Sequence, residues 1–229
     1  MPAIQPSIEI GGISIGEPVT TLTDIIVSIV CFYAFFKLSL FRNKQIYFFR
    51  RYFLLMGLAT LYGGIIGHGF IQYLSFSWKL PGWLLSMVSM NFLERAMIEY
   101  LKQFISVKWG KILTIWNLME LMFFSFITIY AQEFFYVEVH AAYGLLCIVL
   151  PISAYLYRKQ KDETSKYFLM ATFVMMVTSI IFKNKISIDI WFNYNDIAHV
   201  LMAITGWLFY EGIKKSCNSN FSVRSFFSE

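Results

Sequence analysis

The sequence contains few charged residues, few cysteines and few prolines. Charged side chains make up 14% of the 229 residues, whereas about 25% is usual in soluble domains. Hydrophobic residues make up 58% and aromatic residues 19%, and the mean hydropathy is +0.59. This composition excludes a disordered chain, a nucleic-acid-binding module and an ordinary soluble enzyme. It indicates an integral membrane protein.

Further absences exclude particular classes. The three cysteines, Cys31, Cys147 and Cys217, are scattered and form no CxxC pair, so we interpret them as packing residues rather than a disulfide framework. No GxxxxGK[ST] phosphate loop occurs, which argues against a nucleotide-driven pump. No lysine lies between Asn193 and Gly212, so the last predicted helix lacks the Schiff-base residue of retinal proteins.

The apolar runs predict an all-α bundle of seven transmembrane helices, with residues 19–214 as the membrane domain. Residues 1–18 would form an outer segment and residues 215–229 a cytoplasmic tail. The first, third, fourth and seventh predicted helices contain acidic residues, which lower the mean hydropathy of these segments. The seven predicted helices run approximately over residues 19–41, 52–74, 81–101, 111–130, 134–157, 167–186 and 193–212.

The distribution of Lys and Arg predicts the orientation of the bundle. Fifteen of these residues fall in the loops after the first, third and fifth helices and in the tail, against three in the opposite loops. By the positive-inside rule the N-terminus is outside and the C-terminus is cytoplasmic. Short loops with many inner charges suit a multi-pass protein of a bacterial inner membrane.

The outer segment contains an alternating pattern, Ser-Ile-Glu-Ile-Gly-Gly-Ile-Ser-Ile-Gly, at residues 7–16. Alternating isoleucines around Gly11 and Gly12 are typical of a β-hairpin. Such a hairpin would suit a small lid over the outer face, and an unstructured tail is the alternative.

Polar residues inside the predicted helices gather near one membrane face. At 1.5 Å rise per residue, five of them lie about 5–9 Å below the outer surface, and Glu17 and Glu138 lie at its rim. Deeper in the bundle we expect Asn91, Glu94 and Glu120, with Arg95 paired to Glu99 at i,i+4 spacing. The five residues of the outer layer are Asp24, His68, His140, Asp196 and His199.

Two of these residues form a metal-binding pattern on the seventh predicted helix. Asp196 and His199 are three residues apart, on one helix face, and offer a carboxylate oxygen and an imidazole nitrogen to one zinc ion. His68 would be the third ligand, and Asp24 or Glu94 would handle protons. The alternative is that each histidine only satisfies a buried hydrogen bond.

This arrangement resembles the superfamily of alkaline ceramidases and adiponectin and progestin receptors. That resemblance implies seven helices and a zinc held by a histidine of the second helix and an HxxxH pair of the seventh. It also implies a serine four residues before the first histidine and an aspartate on the third helix. The zinc of that superfamily lies toward the N-terminal membrane face and activates water for amide hydrolysis in ceramide-type lipids.

Residue by residue, His68 and His199 match that pattern. Asn195 stands at the first HxxxH position and Gly64 at the serine position, and the third predicted helix offers Asn91 and Glu94 but no aspartate. The segments at residues 17–24 and 193–199 also resemble an uncharacterised bacterial family of seven-span proteins.

Three functions therefore stay open. The first is a zinc-dependent membrane hydrolase that acts on a lipid amide or ester in an outer-facing pocket. The second is a non-catalytic protein that binds a lipid or a protein partner on the same scaffold. The third is a proton-coupled transporter or channel with intramembrane acids such as Asp24 and Glu120 as relay sites, although the sequence shows no internal repeat.

Overall fold

The computed structural model describes residues 5–41 and 43–226, with side chains up to residue 217. The ends of the predicted outer segment and tail, residues 1–4 and 227–229, and Arg42 of the predicted inner loop lie outside the described residues. Over the described part, the chain forms one short hairpin and seven helices. The helices are α1 (Pro18–Lys37), α2 (Lys44–Gly69), α3 (Leu80–Leu101), α4 (Val107–Ala131), α5 (Phe134–Gln160), α6 (Glu163–Lys183) and α7 (Tyr194–Phe226).

Five of the described helices, α1, α2, α4, α5 and α6, are long and apolar enough to cross a membrane. In α3 and α7, polar residues such as Asn91, Glu94, Asp196 and His199 lower the mean hydropathy. The chain is therefore a multi-pass helical membrane protein.

Three helices begin earlier than their apolar runs. The side chains of Asn43, Ser106 and Asp162 precede α2, α4 and α6, and each accepts a hydrogen bond from a backbone N–H of the first turn. Such caps satisfy N–H groups that have no partner within the helix. The predicted start of the second helix near residue 52 is wrong, because a capped helix continues through charged positions outside the apolar run.

The ends of two helices also differ from the prediction. Helix α2 ends at Gly69 rather than near Leu74, and the chain continues in short 3₁₀ turns. Helix α7 extends past Gly212 to Phe226, across the predicted boundary with the cytoplasmic tail. A helix needs only its own backbone hydrogen bonds, so it is free to leave the hydrocarbon region.

The core lies between α1, α2, α3, α5, α6 and α7. Helix α2 packs against α1 and α3, and α7 packs against α1 and α6. Aromatic side chains fill the centre, where the ring centroid of Phe168 lies 4.7 Å from that of Phe209 and 5.4 Å from that of Phe49.

Glu99 of α3 forms an ion pair with Arg95, as predicted, and also with Lys44 and Lys102.

The N-terminal hairpin forms from β1 (Ile8–Ile10) and β2 (Ile13–Ile15), which pair antiparallel. Gly11 and Gly12 both adopt positive φ, as the tight turn requires. The hairpin is attached to the end of α2, where Gly16 N donates to Gly69 O over 2.8 Å. The hairpin therefore lies at the same end of the bundle as His68.

Candidate functional site

One face of the first turns of α1 is polar although the rest of the helix is apolar. Thr20, Thr23 and Asp24 are all buried there. A carboxylate buried among apolar helices needs partners that offset its loss of hydration. The partners of Asp24 come from α2 and α7.

The end of α2 brings His68 to Asp24. Residues Gly63–Gly69 are π-helical, and π-helical turns occur frequently at functional sites. A Cβ atom at Gly64 would lie 2.8 Å from the Cβ of Asp24 and 3.1 Å from the carbonyl oxygen of Thr21. Glycine at this position therefore allows α2 to approach α1 closely, and His68 Nε2 lies 3.9 Å from Asp24 Oδ2.

Helix α7 brings His199 to the same carboxylate. His199 Nε2 lies 3.5 Å from Asp24 Oδ1, and the ring centroids of His68 and His199 are 6.0 Å apart. The side chains of the two histidines are 21% and 15% exposed, against 7% for Asp24. The group is thus accessible from the imidazole side.

The distances between these three residues fit a metal centre. Their potential ligand atoms all lie within 4.8 Å of one another. Two ligands of a tetrahedral zinc ion with bond lengths near 2.0–2.1 Å are separated by about 3.4 Å. Here 3.5 Å separates His199 Nε2 from Asp24 Oδ1, and 3.9 Å separates His68 Nε2 from Asp24 Oδ2. Two imidazole nitrogens and one carboxylate oxygen also match the three-ligand set of catalytic zinc sites, which keep a fourth position open.

Each imidazole is held through its other nitrogen. Glu17 Oε2 accepts a hydrogen bond from Nδ1 of His68, and Thr23 Oγ1 lies 3.1 Å from Nδ1 of His199. The hydroxyl of Thr23 has one proton, and Thr20 O and Asp196 Oδ1 lie within its donating reach. Thr23 Oγ1 is thus placed to accept from His199 Nδ1–H. Both Nε2 atoms are directed toward Asp24, and in a neutral ring with its proton on Nδ1 the Nε2 atom has a lone pair for a metal ion.

The side chain of Glu17 is free to accept from His68 because another side chain caps α1. Glu17 occupies the N-cap position but makes no capping hydrogen bond. Instead Gln5 Oε1 accepts from the backbone N–H groups of Val19 and Thr20 over 2.9 and 3.3 Å. Burial raises the pKa of Glu17, but the hydrogen bond and charge of His68, with the charge of Lys79, outweigh burial and lower it overall.

Asp196, the predicted metal ligand, has a different set of contacts. Its Oδ2 accepts from the backbone N–H of Asn193 over 2.7 Å and from Gln5 Nε2 over 3.2 Å. Its Oδ1 lies 3.5 Å from Thr23 Oγ1, which has Thr20 O as a closer acceptor at 3.0 Å. Asn193 Oδ1 in turn accepts from Asn195 N. This is a capping arrangement at the start of α7, whereas Asp24 faces the two imidazoles.

Glu94, the other predicted proton-handling residue, belongs to a second group. It lies with Glu120 and His140 between α3, α4 and α5. His140 was expected in one layer with His68 and His199, and the structure pairs it with Glu120 at 3.3 Å instead. Among the described residues these are the two groups of three that could hold a metal ion.

Residues 19–218 match the model of a family of unknown function, DUF6962. The chain belongs to that family. No curated protein and no solved structure matches the chain, so the comparisons do not support the resemblance to the ceramidase and receptor superfamily. The expected likeness to an uncharacterised family agrees with membership of DUF6962, and the matched region includes Asp24, His68 and His199.

Sequence reasoning missed the residues that orient the imidazoles. Glu17 was placed only at the rim of the polar layer, and Gln5 and Thr23 were not considered. The signal available was the run Thr20-Thr21-Leu22-Thr23-Asp24, which is unusually polar for the start of an apolar helix.

Proposed function

We propose that this member of the DUF6962 family is a zinc-dependent membrane hydrolase that cleaves an amide or ester bond of a lipid. One observation carries the proposal. The two Nε2 atoms of His68 and His199 face the carboxylate of Asp24, while Glu17 and Thr23 hold the two Nδ1 atoms. A histidine that only satisfies a buried hydrogen bond needs one such partner, whereas each of these two has a partner at Nδ1 and the same carboxylate beside Nε2.

In this proposal Asp24, His68 and His199 hold the ion. A zinc ion with three protein ligands activates a water molecule at its open fourth position. Glu17 and Thr23 fix the tautomer and ring orientation of the two histidines, and partners of this kind raise the basicity of the ligating nitrogen. Asp24 thus acts as a ligand rather than as the expected proton-handling residue, and Glu94 takes no part.

An apolar groove supports a lipid as the substrate. The groove has a volume of about 480 Å³ and follows α1 at the end where Asp24 lies, on a neighbouring face. Thr21 lines the groove and donates from Oγ1 to Gly64 O in the π-helical segment, so one side chain contacts both the groove and the backbone near the site. The other lining residues are Ile8, Ile15, Pro18, Val19, Leu22, Ile25 and Trp191.

We further propose that all seven helices cross the membrane, with the N-terminus outside. Fifteen Lys and Arg residues then face the cytoplasm and three face outward. In this orientation the site and the hairpin lie at the outer face, and the hairpin would act as a lid over it. A bacterial inner membrane suits this distribution.

The experiment combines zinc analysis with a lipid-hydrolysis assay on the detergent-purified protein. Wild type should contain at least one zinc ion per chain, and His68→Ala and His199→Ala should each contain one fewer. Wild type should also release fatty acid from ceramide-type amides or glycerolipid esters, detected by mass spectrometry. Release should fall at least 100-fold in either variant.

The control is Glu163→Gln, which removes an exposed carboxylate on α6 and should change neither readout. Wild type that stays free of zinc after zinc is supplied would exclude the metal site. Zinc without hydrolysis of any lipid tested would leave the non-catalytic lipid-binding function in its place.

A further inference from the structure

A second polar cluster lies inside the bundle, apart from the proposed active site. Glu94 of α3, Glu120 of α4 and His140 of α5 are buried, with relative exposures of 0%, 6% and 0%. Their potential ligand atoms lie within 4.8 Å of one another. Three ionisable groups on three helices are thus brought together inside the bundle.

Two asparagines hold one oxygen of each carboxylate in this cluster. Asn117 Nδ2 donates to Glu94 Oε2 over 3.2 Å, and Asn91 Nδ2 donates to Glu120 Oε1 over 3.4 Å. Each amide also donates to the backbone carbonyl of the other asparagine, over 2.6 and 3.3 Å. The carboxylates are therefore fixed, each with its second oxygen directed away from the asparagines.

The atoms that face one another have no hydrogen-bond partner in the described part of the chain. They are Glu94 Oε1, Glu120 Oε2 and His140 Nε2, with His140 Nε2 3.3 Å from Glu120 Oε2. His140 Nδ1 also has no partner among the described residues. An unsatisfied buried polar group costs about 1–3 kcal/mol, and more if it is charged. Two neighbouring carboxylates also repel each other when both are charged, and a bound cation would offset this repulsion.

The backbone provides space for this cluster in the same way as at the first site. Residues Gly144–Val149 of α5 are π-helical. A Cβ atom at Gly144 would overlap Glu94 Oε1 and lie 3.0 Å from Glu94 Cδ. Glycine at the start of a π-helical segment thus accommodates a carboxylate of a neighbouring helix, as Gly64 does for Asp24.

We propose that Glu94, Glu120 and His140 form a second metal site, which binds a divalent transition-metal ion. Two carboxylate oxygens and one imidazole nitrogen suit Zn²⁺ or Mn²⁺, and a charge of +2 neutralises the two carboxylates. Asn91 and Asn117 donate hydrogen bonds to the other oxygens of the two carboxylates and so orient them, as residues around metal centres commonly do. Because the site is enclosed, the ion links α3, α4 and α5 and stabilises the bundle.

The test counts zinc ions and separates this inference from the proposed hydrolase. The detergent-purified protein is stripped with a chelator, equilibrated with Zn²⁺ and analysed by plasma mass spectrometry. Wild type should bind two zinc ions per chain, while His140→Gln and Glu120→Gln should each bind one. His199→Ala should also bind one, and the double variant His140→Gln/His199→Ala none.

A matched control and a second readout complete the test. Glu138→Gln changes a carboxylate on the same helix, two residues from His140, and should still bind two ions. Zn²⁺ should raise the melting temperature of stripped His199→Ala, and not that of the double variant.

One zinc ion per chain in wild type, lost in His199→Ala and kept in His140→Gln, would overturn the second site and leave the hydrolase intact. One ion lost only in His140→Gln and Glu120→Gln would support the second site and exclude the first. Two ions in Glu120→Gln would also overturn this inference.

Discussion

Asp24 and Asp196 show how two buried acids with similar sequence surroundings acquire different roles. Asp196 is three residues from His199, a spacing that predicts a shared ligand role. It is also the third residue of α7, where backbone N–H groups lack helical partners, and it accepts from Asn193 N there. Asp24 is on a different helix, and only the packing of α1 against α2 and α7 directs it toward both imidazoles.

Alanine substitutions of the two aspartates should therefore have different effects. Asp24→Ala removes a proposed ligand and should lose the zinc ion of this site. Asp196→Ala should keep that ion with affinity lowered about tenfold, and should reduce stability by about 1 kcal/mol because the capping interaction is lost. Zinc titration and thermal melting measure the two effects.

If Asp196→Ala loses the ion and Asp24→Ala retains it, the ligand set expected from the sequence is correct and the one assigned here is wrong.

At the level of helices, the two π-helical segments share one design. Each begins with glycine and lies against a buried carboxylate of a neighbouring helix, Asp24 at the end of α2 and Glu94 in the middle of α5. A π-helical turn leaves carbonyl groups available for other donors. In α2 the carbonyls of Gly64 and Gly69 accept from Thr21 Oγ1 and Gly16 N, so the irregular turn is stabilised by α1 and the hairpin.

Two glycines of the α2 segment provide a matched pair of variants. A Cβ at Gly64 would press on Asp24 and Thr21, whereas a Cβ at Gly67 meets no atom within 4 Å among those that the structure describes. Gly64→Ala should lower stability by about 1–3 kcal/mol through overpacking and weaken zinc binding. Gly67→Ala should preserve zinc binding and alter stability by less than about 1 kcal/mol.

Thermal melting and zinc titration of the two variants check this prediction. Equal effects of both substitutions would show that close contact at Gly64 does not position the site.

At the level of the whole molecule, the described surface is strongly apolar around its middle. Helix α4 contributes most to it, with Met122 64% and Phe126 68% exposed. In water such a surface would promote aggregation, whereas in a bilayer it contacts lipid at no cost. Cys147 on α5 was expected to be a packing residue, but it is exposed. Like the apolar residues of α4, it would contact lipid in a bilayer.

Cysteine labelling tests the proposed orientation. In a variant without the three native cysteines, Ser187→Cys should react with a membrane-impermeant maleimide in sealed right-side-out vesicles. Lys108→Cys should react only after the vesicles are opened, because the positive-inside rule places its loop in the cytoplasm. Both positions are exposed, and gel shift measures the labelling.

The opposite pattern would reverse the orientation and place the site at the cytoplasmic face. Labelling of both positions in sealed vesicles would contradict an odd number of spans between them.

Features that depend on composition and local pattern can be predicted from the sequence alone. Apolar runs of about 20 residues located all seven helices, and the Gly11–Gly12 pair located the hairpin turn, because burial of apolar groups and positive φ at a tight turn are local requirements. Helix ends were less accurate, since caps at Asn43, Ser106 and Asp162 act outside the apolar runs.

Which polar residues contact one another depends on how the helices pack. The sequence placed Asp24, His68 and His199 at similar depth, but depth along a helix does not specify the direction of a side chain around the helix axis. That direction follows from close packing at Gly64 and Gly144 and from the local change to π-helical geometry, which rotates the residues that follow. For this reason Glu94, Glu120 and His140 formed a group of their own. Asp196 became part of a helix cap through its local position in the first turn of α7.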